Sequence, residues 1–150
     1  MKRRNFAAAT LGLLAMPLPA LAAAIPVKLF KNPNCFCCDL YAKHLEQNGF
    51  SVEKIDTTDM DSIKQKYGIP ERFEGCHTAL VGGYVVDGLV PARFVQQLLR
   101  EKPPIKGIAL PGMPVGAPGM EGPKSRPLDI YVLARSPIAP GAAPKVYGSF

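Results

Sequence analysis

The stretch Val27-Lys28-Leu29-Phe30-Lys31-Asn32-Pro33-Asn34-Cys35-Phe36-Cys37-Cys38 decides how the chain is read. Val27 to Phe30 carries the alternation of a strand, and Lys31-Asn32-Pro33-Asn34 is turn-rich and runs into the first cysteine. Residues 39–48 then read as a helix, with Leu40, His44 and Leu45 on one face and Gly49 placed as its C-terminal cap. Three cysteines therefore fall where a first strand passes into a first helix.

Residues 51–56 alternate again, with Val52 and Ile55 as the apolar contributions of a second strand. Thr58 or Asp59 caps a helix that runs through Tyr67 and is ended by Gly68 and Pro70. Cys76-His77-Thr78-Ala79-Leu80-Val81 and Tyr84-Val85-Val86-Asp87 flank Gly82-Gly83, a two-residue hairpin signal. Pro91 opens a further helix with a buried stripe of Phe94, Val95, Leu98 and Leu99, and Pro103-Pro104 terminates it. The order strand, helix, strand, helix, hairpin, helix is that of a thioredoxin-like α/β fold, a mixed sheet with flanking helices.

The ends read differently. Lys2, Arg3 and Arg4 precede an apolar run over residues 7–15 that is too short to span a bilayer, and Ala20-Leu21-Ala22 offers a small-x-small cleavage site. Residues 1–22 are thus expected to be an export signal peptide, cleaved after Ala22 or alternatively Ala24; Arg3-Arg4-Asn5-Phe6 also resembles the twin-arginine pattern. The chain has 18 basic against 12 acidic residues, and loss of those three basic residues leaves an excess of +3. That excess is scattered and there is no Trp to stack on bases, so nucleic acid is not an expected partner. A single domain over residues 23–135 is expected, including a Pro/Gly-Met loop at 103–127, with compactness ending soon after residue 102. Residues 128–133 return as an edge strand and residues 136–150 read as a disordered tail.

All four cysteines follow the signal. Exported proteins meet oxidising conditions, where an even count would ordinarily mean two disulfides. The spacing argues otherwise, because Cys37 and Cys38 are neighbours, Cys35 is two residues away, and Cys76 can staple only one of them. At a strand-to-helix junction, free N–H groups and the helix dipole favour thiolate over thiol. Three soft anions so close together repel unless relieved; a soft cation relieves all three, whereas a disulfide takes up two. Cys76 completes the set if its strand lies beside the first. Zn²⁺ accepts Cys₄, yet structural zinc sites use paired knuckles and only one is present here. Cu(I) tolerates low coordination and shared sulfurs, so it fits adjacent cysteines better.

Met113 and Met120 each stand in a Pro-Gly-Met context. They read either as thioether ligands for Cu(I) or as packing contacts over an apolar groove. His77, next to Cys76 on a strand, is expected to point to the opposite face. His44 reads as a packed or hydrogen-bonded structural residue, with tuning of a thiolate as the alternative.

The ordered motifs Cys35-x-Cys37-Cys38, Tyr41, His44-Leu45, Gly68-Ile69-Pro70, Cys76-His77-Thr78-Ala79, Gly83-Tyr84-Val85-Val86, Val90-Pro91-Ala92, Pro111-Gly112-Met113-Pro114 and Pro118-Gly119-Met120-Glu121 closely resemble the CopG-type copper-resistance proteins. These are periplasmic, thioredoxin-like proteins associated with copper and silver tolerance. The resemblance spans about residues 27–133, and it implies Cys35, Cys37, Cys38 and Cys76 as copper-binding residues. Phe36 stands where the family usually has glycine, Tyr41 where tryptophan is usual, and Leu89 where a histidine commonly precedes Val-Pro. Phe36 would put a bulky ring into the cluster loop, and Leu89 marks the loss of an accessory ligand or proton donor.

Three functions follow as expectations. The first is an exported Cu(I)-binding protein of copper homeostasis, able to couple binding to thiol or copper redox. Its partners would be copper ions and periplasmic copper-efflux or copper-oxidase proteins, with no stable membrane insertion. The second is a periplasmic thiol-disulfide oxidoreductase with Cys35 as nucleophile and Cys38 as resolving thiol. The third is a disulfide-stapled domain without chemistry, although adjacent cysteines are poor staples.

Overall fold

The structure, a computed structural model, describes residues 22–150. The expected signal peptide lies outside the described residues apart from its last position. Strand β1 (Ile25–Lys31) is followed by α1 (Phe36–Glu46), β2 (Phe50–Asp56), α2 (Met60–Lys66), a 3-10 turn over Glu71–Phe73, β3 (His77–Val81), β4 (Tyr84–Asp87), α3 (Ala92–Glu101), β5 (Gly107–Ala109), β6 (Asp129–Leu133) and β7 (Val146–Ser149). The strands form one seven-stranded mixed sheet in the order β2-β1-β3-β4-β5-β6-β7. β1 runs parallel to β2 and β4 parallel to β5, and the other neighbours are antiparallel. The α/β thioredoxin-like expectation agrees with this architecture.

Successive strand residues face opposite sides, so the sheet builds two cores. Val86 of β4 and Ile108 of β5 join Val27, Leu29, Leu45, Val95 and Leu98 on one side; their neighbours Val85 and Ala109 join Ile69, Phe73 and Leu133 on the other. With both faces covered, the central strands carry almost unbroken apolar runs. The β3–β4 turn is formed by Gly82 and Gly83 at φ +55° and +83°, the left-handed pair that a tight hairpin needs. Asp59 caps α2 by accepting the Ser62 N–H at 3.1 Å. Among the described residues no helix is long and apolar enough to cross a membrane.

Two expectations are corrected. Helix α1 begins at Phe36 rather than at residue 39, because Cys35 itself takes the cap position with extended backbone after its N–H turns back onto the Asn32 carbonyl at 3.0 Å. Cys37 and Cys38 consequently lie in the first helical turn. The buried stripe of α1 runs through Cys38, Tyr41, Ala42 and Leu45, leaving Leu40 and His44 half-buried.

The second correction concerns the C-terminal third. Compactness does not end near residue 102: β5 forms inside the supposed loop, and β7 pairs with β6, so β6 is not the sheet edge and residues 136–150 are not simply a disordered tail. Phe150 packs its ring on Phe94, and the Tyr147 hydroxyl donates to Glu101 at 3.1 Å. These partners are distant in sequence, and local Gly/Pro content hides such pairings.

His44 behaves as the structural residue it was read to be. Its Nε2 accepts the Ala92 N–H at 3.0 Å and so satisfies a free donor at the start of α3. Burial holds its pKa below the ordinary histidine value, keeping the ring in the neutral form this bond requires. Because the folded pKa is depressed, the unfolded chain protonates first as pH falls, and stability present above about pH 6.5 is lost below it. Thermal unfolding of the wild type is expected to shift downward between pH 7.5 and 5.5 by more than that of His44→Gln, which cannot titrate; parallel shifts would remove this role.

Candidate metal centre

The site is assembled from two loops held by buried charges. At the end of β1, the Lys31 ammonium is buried and donates to Asp56 at 3.2 Å and to the Pro33 carbonyl at 3.4 Å, with Asp39 of α1 at 3.6 Å. Lys54 donates to the same Asp39 carboxylate at 3.0 Å, and these attractions hold its pKa below the usual carboxylate value. The cysteine loop is thereby tied to both β1 and β2. Since β3 runs antiparallel to β1 with His77 opposite Lys31, the residue before His77 arrives beside the start of that loop. That residue is Cys76.

Asp87 fixes the Cys76 approach. Its carboxylate is fully buried and accepts from the Lys64 ammonium at 3.0 and 2.8 Å, from the Thr78 hydroxyl at 2.6 Å and from the Gly75 N–H. Gly75 also packs backbone to backbone: a Cβ there would come within 2.3 Å of the Gly88 Cα, so no larger residue fits. On its other side the Gly112 N–H donates to the Glu74 carbonyl at 2.8 Å, which brings the Pro-Gly-Met loop against the same segment.

The four cysteine sulfurs lie within 4.8 Å of one another. Cys35 and Cys38 form a disulfide with Cα atoms 5.4 Å apart, and Cys37 and Cys76 are free. Cys37 is the hub: its sulfur is 3.4 Å from that of Cys35, 3.6 Å from that of Cys76 and 3.7 Å from the Met113 thioether. Cys38 lies 3.7 Å from the Cys76 carbonyl oxygen. Burial first, and then the adjacent Cys37, push the Cys76 thiol far above its ordinary pKa. Without a cation, a buried thiolate at Cys76 is therefore unfavourable.

The structure therefore brings together all four cysteines expected from the sequence and, of the two methionines considered with them, Met113, which is 54% exposed. Met120 instead packs against the main core, the alternative allowed for it. The expectation for His77 is corrected: its Nδ1 lies 3.3 Å from the Cys76 sulfur. Alternation fails here because Cys76 precedes β3, where strand geometry does not yet apply. Phe36 is 75% exposed at the first position of α1, so its ring points away from the core. Leu89 is a fully buried core residue. Asp87, Lys64 and Gly75 escaped the sequence reading. An acid closing the apolar run Tyr84-Val85-Val86 was a usable signal for Asp87, whereas nothing local marks Lys64.

A family described as a protein of unknown function, DUF411, matches residues 73–120. No curated protein matches. Two solved structures, named Copper resistance protein copG Form 2 and Form 1, are each 35% identical with a TM-score of 0.74, covering 85% of this chain and 98% of theirs. Fold and site together define an α/β protein with a compact cysteine cluster suited to a soft metal. The chain belongs to the CopG copper-resistance protein family.

Asp87→Asn removes the charge that balances the buried Lys64 ammonium, and breaking a pair of this kind costs about 3–5 kcal/mol. Urea unfolding is expected to show a loss of that order; a loss below about 1 kcal/mol would mean that the pair does not hold this region.

Proposed function

We propose that this protein is an exported Cu(I)-binding protein of copper homeostasis, in which reduced Cys35, Cys37, Cys38 and Cys76 hold the ion as thiolates. One observation carries the reading: the four cysteine sulfurs converge within 4.8 Å. The donor set fits a soft cation, since it consists of sulfur alone and has the Met113 thioether 3.7 Å from Cys37. A thioether has little to offer Zn²⁺ and much to offer Cu(I), which favours copper over a Cys₄ zinc site. The copper-resistance names of the two solved relatives support the same choice.

The disulfide gives the site a redox condition. Reduction of Cys35–Cys38 by an external dithiol, which gives up two electrons and two protons and leaves as a disulfide, frees two thiols and completes the four-sulfur set. The reverse exchange, with an external disulfide as oxidant, withdraws those two ligands and couples thiol redox to metal release. Export to the periplasm, after cleavage of a signal within residues 1–22, would place the site where such a disulfide persists. The copper-binding domain runs from about residue 23 through β7. Periplasmic copper-efflux or copper-oxidase proteins are the partners this role calls for.

Anaerobic Cu(I) titration of the reduced chain against a moderate-affinity chelator, with X-ray absorption at the copper edge, tests the reading. Tight binding is expected, with ultraviolet thiolate absorption, no visible bands and sulfur-only ligation including the long contact of a thioether. The oxidised chain, and Cys76→Ser, should each bind at least about tenfold more weakly, a change of about 1.4 kcal/mol. Failure of the reduced chain to compete for Cu(I) would overturn it.

One observation favours a second reading, thiol-disulfide exchange. The Cys35–Cys38 bond sits at the start of α1 with Cys35 half-buried and Cys38 fully buried, the asymmetry of an accessible nucleophile and a sheltered resolving thiol. Under that reading Cys76→Ser retains catalysed disulfide reduction and Cys35→Ser abolishes it. Undiminished turnover by Cys35→Ser would exclude this chemistry.

A further inference from the structure

A cleft of about 350 Å³ opens beside the metal centre and includes none of its cysteines. Its floor is apolar, made by Phe73, Leu110, Leu128 and Tyr131, and the side chains of Arg72 and Arg126 line it with them. Arg72 holds its guanidinium over the Phe73 ring at 4.7 Å, and that ring packs on Tyr131 with centroids 5.4 Å apart. The stack fixes one cation at the cleft while leaving it exposed. Among the described residues neither arginine belongs to an ion pair, since every pair uses a lysine. Asp129 is the one carboxylate lining the cleft, and it accepts the Ser149 hydroxyl. Two positive charges therefore share the cleft with a single negative one that is already hydrogen-bonded.

The cleft and the metal centre share a loop. Pro111 and Pro114 form part of the cleft wall, and Met113 between them brings its thioether to 3.7 Å from Cys37. The Gly112 N–H donates to the Glu74 carbonyl at 2.8 Å, which ties that loop to the 3-10 turn carrying Arg72 and Phe73. Cleft and thioether thereby keep a fixed spacing. Of the four large apolar side chains exposed among the described residues, Met113 and Val115 stand on this loop and Phe36 lies between two cluster cysteines. Exposed apolar groups next to a cationic cleft mark a surface that another molecule covers.

We propose that this cleft docks an acidic, extended segment of the protein that exchanges copper with this chain. An aromatic side chain of that segment fills the apolar floor, and carboxylates on either side of it pair with Arg72 and Arg126. Charge complementarity selects this occupant: a guanidinium meets a carboxylate through two parallel N–H···O bonds, which fixes orientation as well as charge. The cleft admits one aromatic side chain, well short of the roughly 800 Å² per partner that a stable complex buries, so the contact is brief. Docking there sets the partner beside Met113, the exposed sulfur of the site. The inference rests on the copper reading above for the partner's role, while the docking itself concerns the metal-free chain.

Titration of the ¹⁵N-labelled, metal-free, oxidised chain with the acetylated and amidated peptide Asp-Asp-Phe-Asp-Asp tests the docking by ¹H–¹⁵N correlation. Saturable shifts are expected at Phe73, at Tyr131 and at the Nε–H signals of Arg72 and Arg126, and none with Lys-Lys-Phe-Lys-Lys. The double variant Arg72→Glu/Arg126→Glu should bind the acidic peptide about tenfold more weakly. Both side chains are exposed, and Arg126→Glu alone leaves the Phe73 stack in place while weakening binding about threefold. Unchanged affinity in the folded variants, or equal binding of the two peptides, would overturn the proposal. Equal affinity for phenylpropionate would make the cleft a site for a free carboxylate, and concentration-dependent shifts of the same signals without peptide would make it a surface for a second copy; either outcome overturns it. Because no copper is present, each of these results leaves Cu(I) binding standing. Failure of the reduced chain to bind Cu(I) would instead remove the exchange role and leave the docking in place.

Discussion

A single buried carboxylate holds the architecture of the site together. Asp87 lies at the end of β4 and is engaged by a cation from α2, a hydroxyl from β3 and a main-chain N–H from the residue before Cys76. A carboxylate has about four lone-pair positions, and all are taken here. A fully satisfied buried network of this kind is rigid because any displacement exposes a charge to a medium that cannot solvate it. The rigidity passes directly to Cys76, one bond removed from Gly75 and two residues from Thr78. The cysteine loop is held from the other side by Lys31, so the two halves of the cluster are anchored independently.

Between those anchors the sulfurs are closer than free thiolates tolerate. The chain relieves the crowding in one way in this structure, with a covalent bond between Cys35 and Cys38. A soft cation relieves it in another. Both would draw on the same atoms. Cys37 belongs to neither exclusively, since it touches a disulfide sulfur, a free thiol and a thioether at once. Its place in the first turn of α1, rather than in a flexible loop, gives it the fixed position that a hub requires.

Much of this was readable before any coordinates. Val27 to Phe30, the Gly82-Gly83 turn and the Phe94, Val95, Leu98 stripe each carry a local period or a turn signal, and the corresponding elements stand where they were expected. The four cysteines were legible because residue type and spacing are themselves the chemistry. Position-dependent features were not. The start of α1 shifted because a cysteine can occupy the cap position when a preceding turn delivers its backbone there. β5 and β7 were missed because short strands in Gly/Pro-rich sequence are made by their neighbours. His77 was misjudged because strand alternation was applied one residue too early.

The Glu74–Thr78 segment carries more than its length implies. The Glu74 carbonyl receives Gly112, Gly75 meets both Asp87 and Gly88, and Thr78 returns to Asp87, so the Met113 loop and the Cys76 sulfur hang from one short run of backbone. Insertions at the Gly82-Gly83 tip would extend into solvent and leave this frame alone. A single residue added between Glu74 and Thr78 would put the thioether and the thiol out of step with each other. Added length is therefore accommodated at the hairpin tip and not in this segment, which sets the spacing between donors much as a ruler does.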